Sequence, residues 1–487
     1  MTARDPLDGV RPSAERRSWW LRDALAAEDA GEAGFGRAAA PPFAGSGSAD
    51  VVILGGGYTG LWTALRLAEL APGARVVLLE SDICGGGPSG RNGGFVTAWW
   101  DELPTLVEDF GASEALRVAR AVSGAVDAVG DWVAERGADV WYRRAGSLTA
   151  SAAAAQDGGW REAVETCERL GVADEFVEFS AAEVRERVAS PVFRGGVFMR
   201  AGATVQPARL ARALRAAALE RGVVVHEGTR ASSFEGGIVR TSSSVGPGVI
   251  RADKVVVALN AWAAAWPPFG RRLVTWSSYI VLTEPIPDAL AEIGWTGGEG
   301  LSDARFTLHY LRTTPDGRIA LGGGGGRAGF GGRIGRAFTD DAESAVRAAR
   351  GLRRLFPSLA GTRIEDAWGG PIDIASDHLP FFGTIDSGRV HFGHGYSGNG
   401  VGPAWVGGRI LASLALGLDD EWSSLPIVGR LPRAFPPEPL RYLGARVVRE
   451  AIVRRETIEE RGRRPGRLVR ELTRLPRRMG YHLGLDR

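Results

Sequence analysis

The 487-residue chain is 44% hydrophobic and 24% charged, proportions ordinary for a globular protein, and is long enough for two or three domains. A net charge of +2 gives no overall reason to expect nucleic acid as a partner. Two cysteines, Cys84 and Cys167, leave no disulfide framework and no metal site, which suits a reducing cytoplasm.

Residues 1–49 read as an arm rich in Ala, Gly, Pro and charge. Arg4, Asp5 and Asp8 stand where a secretory signal would need apolar residues. Within the arm, Ser18-Trp19-Trp20-Leu21 supplies apolar bulk, read as packing the arm against the body. A lid role for Trp20 is the weaker alternative. No apolar run along the chain is long enough to span a membrane.

Residues 51–80, VVILGGGYTGLWTALRLAELAPGARVVLLE, combine the parts of a dinucleotide site. An apolar strand (51–54) meets Gly55, Gly57 and Gly60 in G-x-G-x-x-G spacing. A helix follows at once, and a second strand ends in Glu80. Gly55 allows a tight turn, Gly57 lets backbone approach a pyrophosphate, and Gly60 lets helix lie on strand. The helix start at Tyr58 and Thr59 offers N–H groups to phosphate. Glu80, with Ser81 beside it, can accept from a ribose diol, favouring FAD or NAD over NADP. The glycine-rich loop 81–95 suits close passage past a flat or phosphorylated ligand. There Ser89 and Arg91 can meet phosphate oxygens and Asn92 a polar ring edge.

Residues 101–190 read as mainly helical, with a short strand pair near 140–149. Helix 208–221 and strand 223–226 follow, then a hairpin and a buried strand ending near Asn260. Strand–helix–strand pieces thus return the chain to the nucleotide sheet. Residues 270–364 carry strand runs (278–283, 307–312, 318–321) that suggest an antiparallel sheet, and a helix at about 340–355. The glycine run 322–326 reads as a sharp turn or a wall near a ligand. Strand 389–393 leads into 395–402, GYSGNGVG, read as a second glycine-rich helix start. The tail 437–487 is basic, with Leu440, Leu443, Val447 and Ile452 at helical spacing. The favoured reading is a helix packed on the body with a solvated face; the alternative is an arm for a membrane surface or a partner.

In this order the motifs resemble the FAD-dependent oxidoreductases of the D-amino-acid-oxidase type, and within them the gamma-glutamylputrescine-oxidoreductase-like amine oxidases. The matching segments are 55–69, GPSGRNGGF (87–95), VVVALNAW (255–262), TPDGRIALGG (314–323), WGGPIDIASDHLPFFG (368–383) and HGYSGNGV (394–401). The resemblance implies an α/β fold. A Rossmann-like FAD domain would be built from 50–100, 195–265 and 365–420. A substrate domain from 101–194 and 266–364 would carry a large antiparallel sheet, and 421–487 would be a basic C-terminal extension. It implies cofactor contacts from Gly55, Gly57, Tyr58, Thr59, Gly60, Glu80, Ser81, Ser89, Arg91, Asn92, Gly93, Gly94, Thr229, Arg230, Asn260, Gly395, Tyr396, Gly398, Asn399, Gly400 and Val401. The 395–402 segment would sit at the pyrimidine end of the flavin. The loop 87–95 has no His or Cys, so non-covalent FAD is expected. No lysine lies at 275–279, where sarcosine-oxidase-like relatives use one to activate oxygen; Lys254 is the chain's only lysine.

The implied reaction is hydride transfer from an amine or amino acid to flavin N5, giving an imine that hydrolyses. Electrons pass to oxygen or, alternatively, to another acceptor; a flavin-binding protein without turnover and an NAD-dependent dehydrogenase are the rivals. Candidate residues around the reacting carbon are Tyr396, Asn399, Tyr310, His309 and Tyr279. Trp276 is a candidate aromatic wall, Asp373 and His378 candidate polar contacts, and Arg312 a candidate partner for a substrate carboxylate. No metal is expected.

Overall fold

The computed structural model describes residues 17–36, 38–323 and 325–482. The first strand, Gly45–Leu54, pairs in parallel with Val76–Leu79 on one side and Gly246–Val257 on the other. Val51 to Leu54 are all buried, so both faces of the strand are covered. Val51 and Ile53 pack with the helix Tyr58–Leu70, whereas Val52 and Leu54 pack on the opposite side with Val257 and Phe392, the two-residue period of a strand. The sheet runs Phe381–Ile385, Val390–His394, Gly246–Val257, Gly45–Leu54, Val76–Leu79, Val224–His226. The hairpin Thr229–Glu235 and Ile238–Ser243 adds its last two strands.

A second eight-stranded sheet runs Ile364–Ala375, Leu273–Thr283, Ile319–Gly323, His309–Thr313, Gly300–Asp303, Ser147–Ala150, Gly195–Met199, Phe176–Ser180. Its neighbours are antiparallel except for Gly300–Asp303 beside Ser147–Ala150. One face packs on the helix Ala342–Leu355 through Leu301, Leu311, Leu321 and Leu352. Both Gly195–Met199 and Ile364–Ala375 belong here, so the chain changes sheets later than 195 and 365. Each strand leads on into the next nucleotide-side element, and the sequence alone does not give its pairing partner.

The helix Trp19–Ala30 packs against the helix Pro207–Glu220 and strands of the second sheet, and is capped where Ser18 Oγ accepts from Leu21 N at 3.1 Å. Trp20 is fully buried, edge-on to Trp368 at 5.7 Å and to Trp141 at 6.2 Å. The arm thus packs on the body here; residues 1–16 and Gly324 lie outside the described residues. The tail forms two packed helices, Leu440–Glu459 and Arg467–Arg478. Among the described residues no helix is long and apolar enough to cross a membrane.

Candidate active-site cavity

A cavity of about 1700 Å³ runs from the first turn of the nucleotide sheet to the open face of the second sheet. At the nucleotide end its wall is backbone. Gly55 adopts φ +110°, where a Cβ would lie 2.4 Å from Ala258 O. A Cβ on Gly60 would fall 2.0 Å from Gly55 O, so only glycine lets the helix sit on the strand. Gly57, Tyr58 and Thr59 face the cavity, and Ser89 Oγ accepts from Tyr58 N at 2.9 Å. Glu80 accepts from Gly56 N at 2.8 Å and Asp82 N at 2.9 Å, with Ser81 Oγ at 3.2 Å. Burial lifts the Glu80 carboxyl above its ordinary value against those bonds.

Arg91 lines the cavity while donating to Gly86 O at 2.9 Å and Gly369 O at 3.2 Å; burial lowers its guanidinium to about 10. Asn92 also lines it, but its amide serves the loop. Oδ1 accepts from Gly94 N at 2.7 Å, and Nδ2 donates to Pro88 O and Ser89 O. Asn92 thus braces the loop while it lines the cavity. Gly93, Thr229 and Arg230 line the wall. Gly60, Gly94 and Gly395 do not; they are packing positions, Gly94 against Val205 O and Gly395 against Ala375 and Phe381.

Further along, Asp373 organises the second glycine segment. Its Oδ2 accepts from Gly395 N at 2.6 Å, its Oδ1 from Asn260 Nδ2 at 2.9 Å, and its carbonyl from Ser397 N at 3.0 Å. Burial raises the Asp373 carboxyl to about 7. The glycine segment does open a helix, Pro403–Leu416 with Gly402 as its N-cap, but it reaches it through a turn in which Ser397 adopts φ +53°. Tyr396, Gly398, Asn399, Gly400 and Val401 line the cavity. The Tyr396 hydroxyl is spoken for, accepting from Thr59 Oγ1 at 2.9 Å, and Asn399 Oδ1 accepts from Thr97 Oγ1.

On the second sheet, Tyr310 reaches the cavity and shares a hydrogen bond with Ser278 Oγ at 2.9 Å; burial pushes its phenol up to about 12. Strand alternation then turns His309 to the other face. There its Nδ1 meets Asp303 Oδ2 at 2.6 Å and its Nε2 meets Arg305 Nη1 at 2.8 Å. Tyr279 likewise faces away and donates to Ala337 O at 2.6 Å. Neither lines the cavity, which corrects both expectations. Arg312 is also outside it, donating to Val205 O and stacked 5.7 Å from the Trp20 ring; burial lowers its guanidinium to about 9. Trp276 and His378 do line it.

The sequence reading missed the far end. Ser147, Thr149, Met199 and Ser302 form the sheet side, and Asp101, Glu102, Glu108 and Glu162 come from the helices Leu103–Phe110 and Arg161–Arg169 or the turn before them. Phe435, Arg441, Arg449 and Tyr481 reach in from the tail. Glu456 anchors that tail: its carboxylate accepts from Arg305 Nη2 at 2.6 Å, Thr307 N at 2.7 Å and Thr307 Oγ1 at 2.6 Å. It thereby fixes the loop whose Phe306, Thr307 and Leu308 line the cavity. Of these, the strand pair expected near 140–149 covers Ser147 and Thr149, and the helical spacing of the tail covers the stretch around Arg441 and Arg449.

The family described as FAD dependent oxidoreductase, DAO, matches residues 50–414. The chain belongs to this family. It is 31% identical over 409 residues to the probable oxidoreductase OrdL of Rhizobium meliloti (strain 1021), covering 81% of this chain and 89% of that one. It is 29% identical over 374 residues to gamma-glutamylputrescine oxidoreductase of Escherichia coli (strain K12), covering 76% and 84%. Among solved structures, L-proline dehydrogenase from P. horikoshii superposes with a TM-score of 0.63 at 21% identity, over 78% of this chain and 96% of that one. Glycine oxidase from Geobacillus kaustophilus gives 0.60 at 18%, over 77% and 96%. These likenesses establish the two-sheet α/β fold.

FAD is the cofactor of this family member, and the cavity fits it. A Cβ has no room at Gly55 or Gly60, and the start of the helix Tyr58–Leu70 lines the cavity through Gly57, Tyr58 and Thr59. Asn260 Oδ1, on the cavity wall, is buried without a hydrogen-bond partner among the described residues, an acceptor left for a donor from outside the chain.

Proposed function

We propose that this FAD-dependent oxidoreductase oxidises the C–N bond of a primary or secondary amine, preferring one that carries a second cationic group over an α-amino acid. The carrying observation is the charge of the cavity's far end. Asp101, Glu102, Glu108 and Glu162 line it, and the strand residues facing it (Ser147, Thr149, Val197, Met199, Ser302 and Tyr310) include no arginine for a carboxylate; of the arginines that reach in from the tail, Arg441 is paired with Glu438 at 2.8 Å and Arg449 donates to Gly326 O at 2.6 Å. Asp101 is open to the cavity yet deep in the protein, and burial raises its carboxyl. Such carboxylates attract an ammonium group and hold it away from the reacting carbon. The name of the Escherichia coli relative, an oxidoreductase of an amine derivative, supports the same class.

FAD, when bound, accepts the hydride equivalent that leaves the carbon beside nitrogen. The chain supplies position and dryness. Tyr310 and Trp276 form an aromatic wall over the middle of the cavity, and the phenol–Ser278 bond holds the Tyr310 ring in one orientation. The substrate loses a hydride equivalent, two electrons and one proton, to become an iminium; loss of a second proton gives the imine, and water hydrolyses it to an aldehyde and either ammonia (from a primary amine) or an amine (from a secondary one). No charged base is needed at the reacting carbon when the amine enters neutral.

The cofactor is proposed to be held without a covalent bond, since the loop 87–95 carries no His or Cys and neither Cys84 nor Cys167 lines the cavity. A second reading concerns the electron acceptor. The single lysine, Lys254, donates to Gly388 O at 2.7 Å and does not line the cavity, which favours an acceptor other than oxygen. Steady-state rates with diamines, monoamines and α-amino acids, each with oxygen or a redox dye, test both. The expected order is diamine first and dye over oxygen. Faster turnover of α-amino acids would overturn the substrate class.

A further inference from the structure

The C-terminal helices, Leu440–Glu459 and Arg467–Arg478, lie beyond the family-matched residues 50–414. Residues 440–482 hold 13 arginines and 5 glutamates, a charge of +8; the whole chain is +2, so everything else sums to −6. Three of those glutamates are turned to arginines at the base of the hairpin: Glu456 and Glu460 to Arg305, and Glu459 to Arg455. Arg454, Arg461, Arg463, Arg464, Arg467 and Arg470 stand exposed on the outside.

Large apolar side chains stand exposed among them. Leu440, 64% exposed, shares a helix face with Leu443 and Val447 at i, i+3 and i+7. Leu468, 72% exposed, shares one with Leu475 and Met479 at i, i+7 and i+11. The sequence reading favoured apolar residues packed inward; that holds only for the second half of the first helix, where Ala451 and Ile452 are buried. Leu440, Leu475 and Met479 also line the cavity wall, so the two apolar rows meet at its rim.

We propose that this hairpin docks the protein on an anionic membrane surface, leucines in the headgroup boundary and arginines on lipid phosphates. Apolar rows framed by cations on exposed helix faces are the features such a surface binds. A second copy meeting the same patch would set +8 against +8. An acidic soluble partner would satisfy the arginines but gives no account of the exposed apolar rows that stand among them.

The test is flotation of the full-length, FAD-loaded protein with phosphatidylcholine vesicles containing about a quarter phosphatidylglycerol, against phosphatidylcholine alone. The protein is expected to float with the anionic vesicles only and to be released at about 1 M salt. The triple variant Arg463→Glu, Arg467→Glu, Arg470→Glu is expected to bind at least about a hundredfold more weakly, from about fivefold per arginine lost. Leu468→Ser is expected to weaken binding several-fold while keeping the salt dependence. Unchanged circular dichroism and flavin content show that both variants are folded. Absence of flotation with anionic vesicles overturns the proposal. So does equal binding by wild type and Leu468→Ser together with equally tight binding to soluble polyglutamate, the signature of an acidic-partner site.

Discussion

The two ends of the cavity are built by different means. The nucleotide end is backbone: glycines at 55, 57 and 60 bring strand, turn and helix so close that a methyl group has no place at Gly60. The far end is side chains drawn from distant stretches, held by the buried carboxylate of Glu456 from outside the family-matched residues. Where the bound group is large and fixed, main chain shapes the site. Where the substrate is to be chosen, side chains and their supports do so, and they can differ without disturbing the cradle.

Four experiments break or sharpen this contrast. Glu456→Ala strips a buried partner from Arg305 and Thr307 and is expected to cost roughly 3 kcal/mol of stability. Urea unfolding measures the loss. Flavin content is expected to stay near wild type while KM for the amine rises. Gly60→Ala is expected to cost about 1–3 kcal/mol by overlap and to lose FAD on gel filtration. If Glu456→Ala shed the flavin and Gly60→Ala kept it, the two ends would not be separable.

The third concerns Asp373, between the ends. Burial lifts its folded carboxyl to about 7, whereas an unfolded aspartate titrates near about 3.9. Over that window the folded state keeps a proton that the unfolded chain releases. The Asp373 contribution to stability therefore falls as pH rises from about 4 to about 7 and is level above that. Asp373→Asn removes this slope. Relative to wild type, the variant is expected to gain stability as pH rises through the window; a constant difference between the two would contradict it. The smallest effect is expected from Tyr310→Phe, which frees Ser278 of one hydrogen bond worth about 1 kcal/mol and raises KM modestly. Tyr279→Phe, on the opposite face, is the control expected to leave KM unchanged.

The same contrast decides what could be read from sequence. The 51–80 stretch was legible because its glycines, helix and acid are local and each does one job. The second glycine segment was legible in part: it opens the helix Pro403–Leu416 as its glycines suggest, but the turn before that helix is clasped by Asp373, twenty-two residues earlier than Gly395, which no local pattern shows. His309 and Tyr310 were both proposed for the cavity, though adjacent strand residues face opposite ways; which one faces in depends on where the helix Ala342–Leu355 packs. Asp101, Glu162 and Glu456 carried no local signature, because their roles exist only once distant elements meet.

The most direct measurement is the visible spectrum of the purified protein, titrated without oxygen against a diamine. The account predicts a yellow protein whose flavin absorbance bleaches with the diamine and whose colour is released to the supernatant by acid. A colourless chain that takes up no FAD, or a flavin spectrum that no amine or amino acid changes, would contradict it.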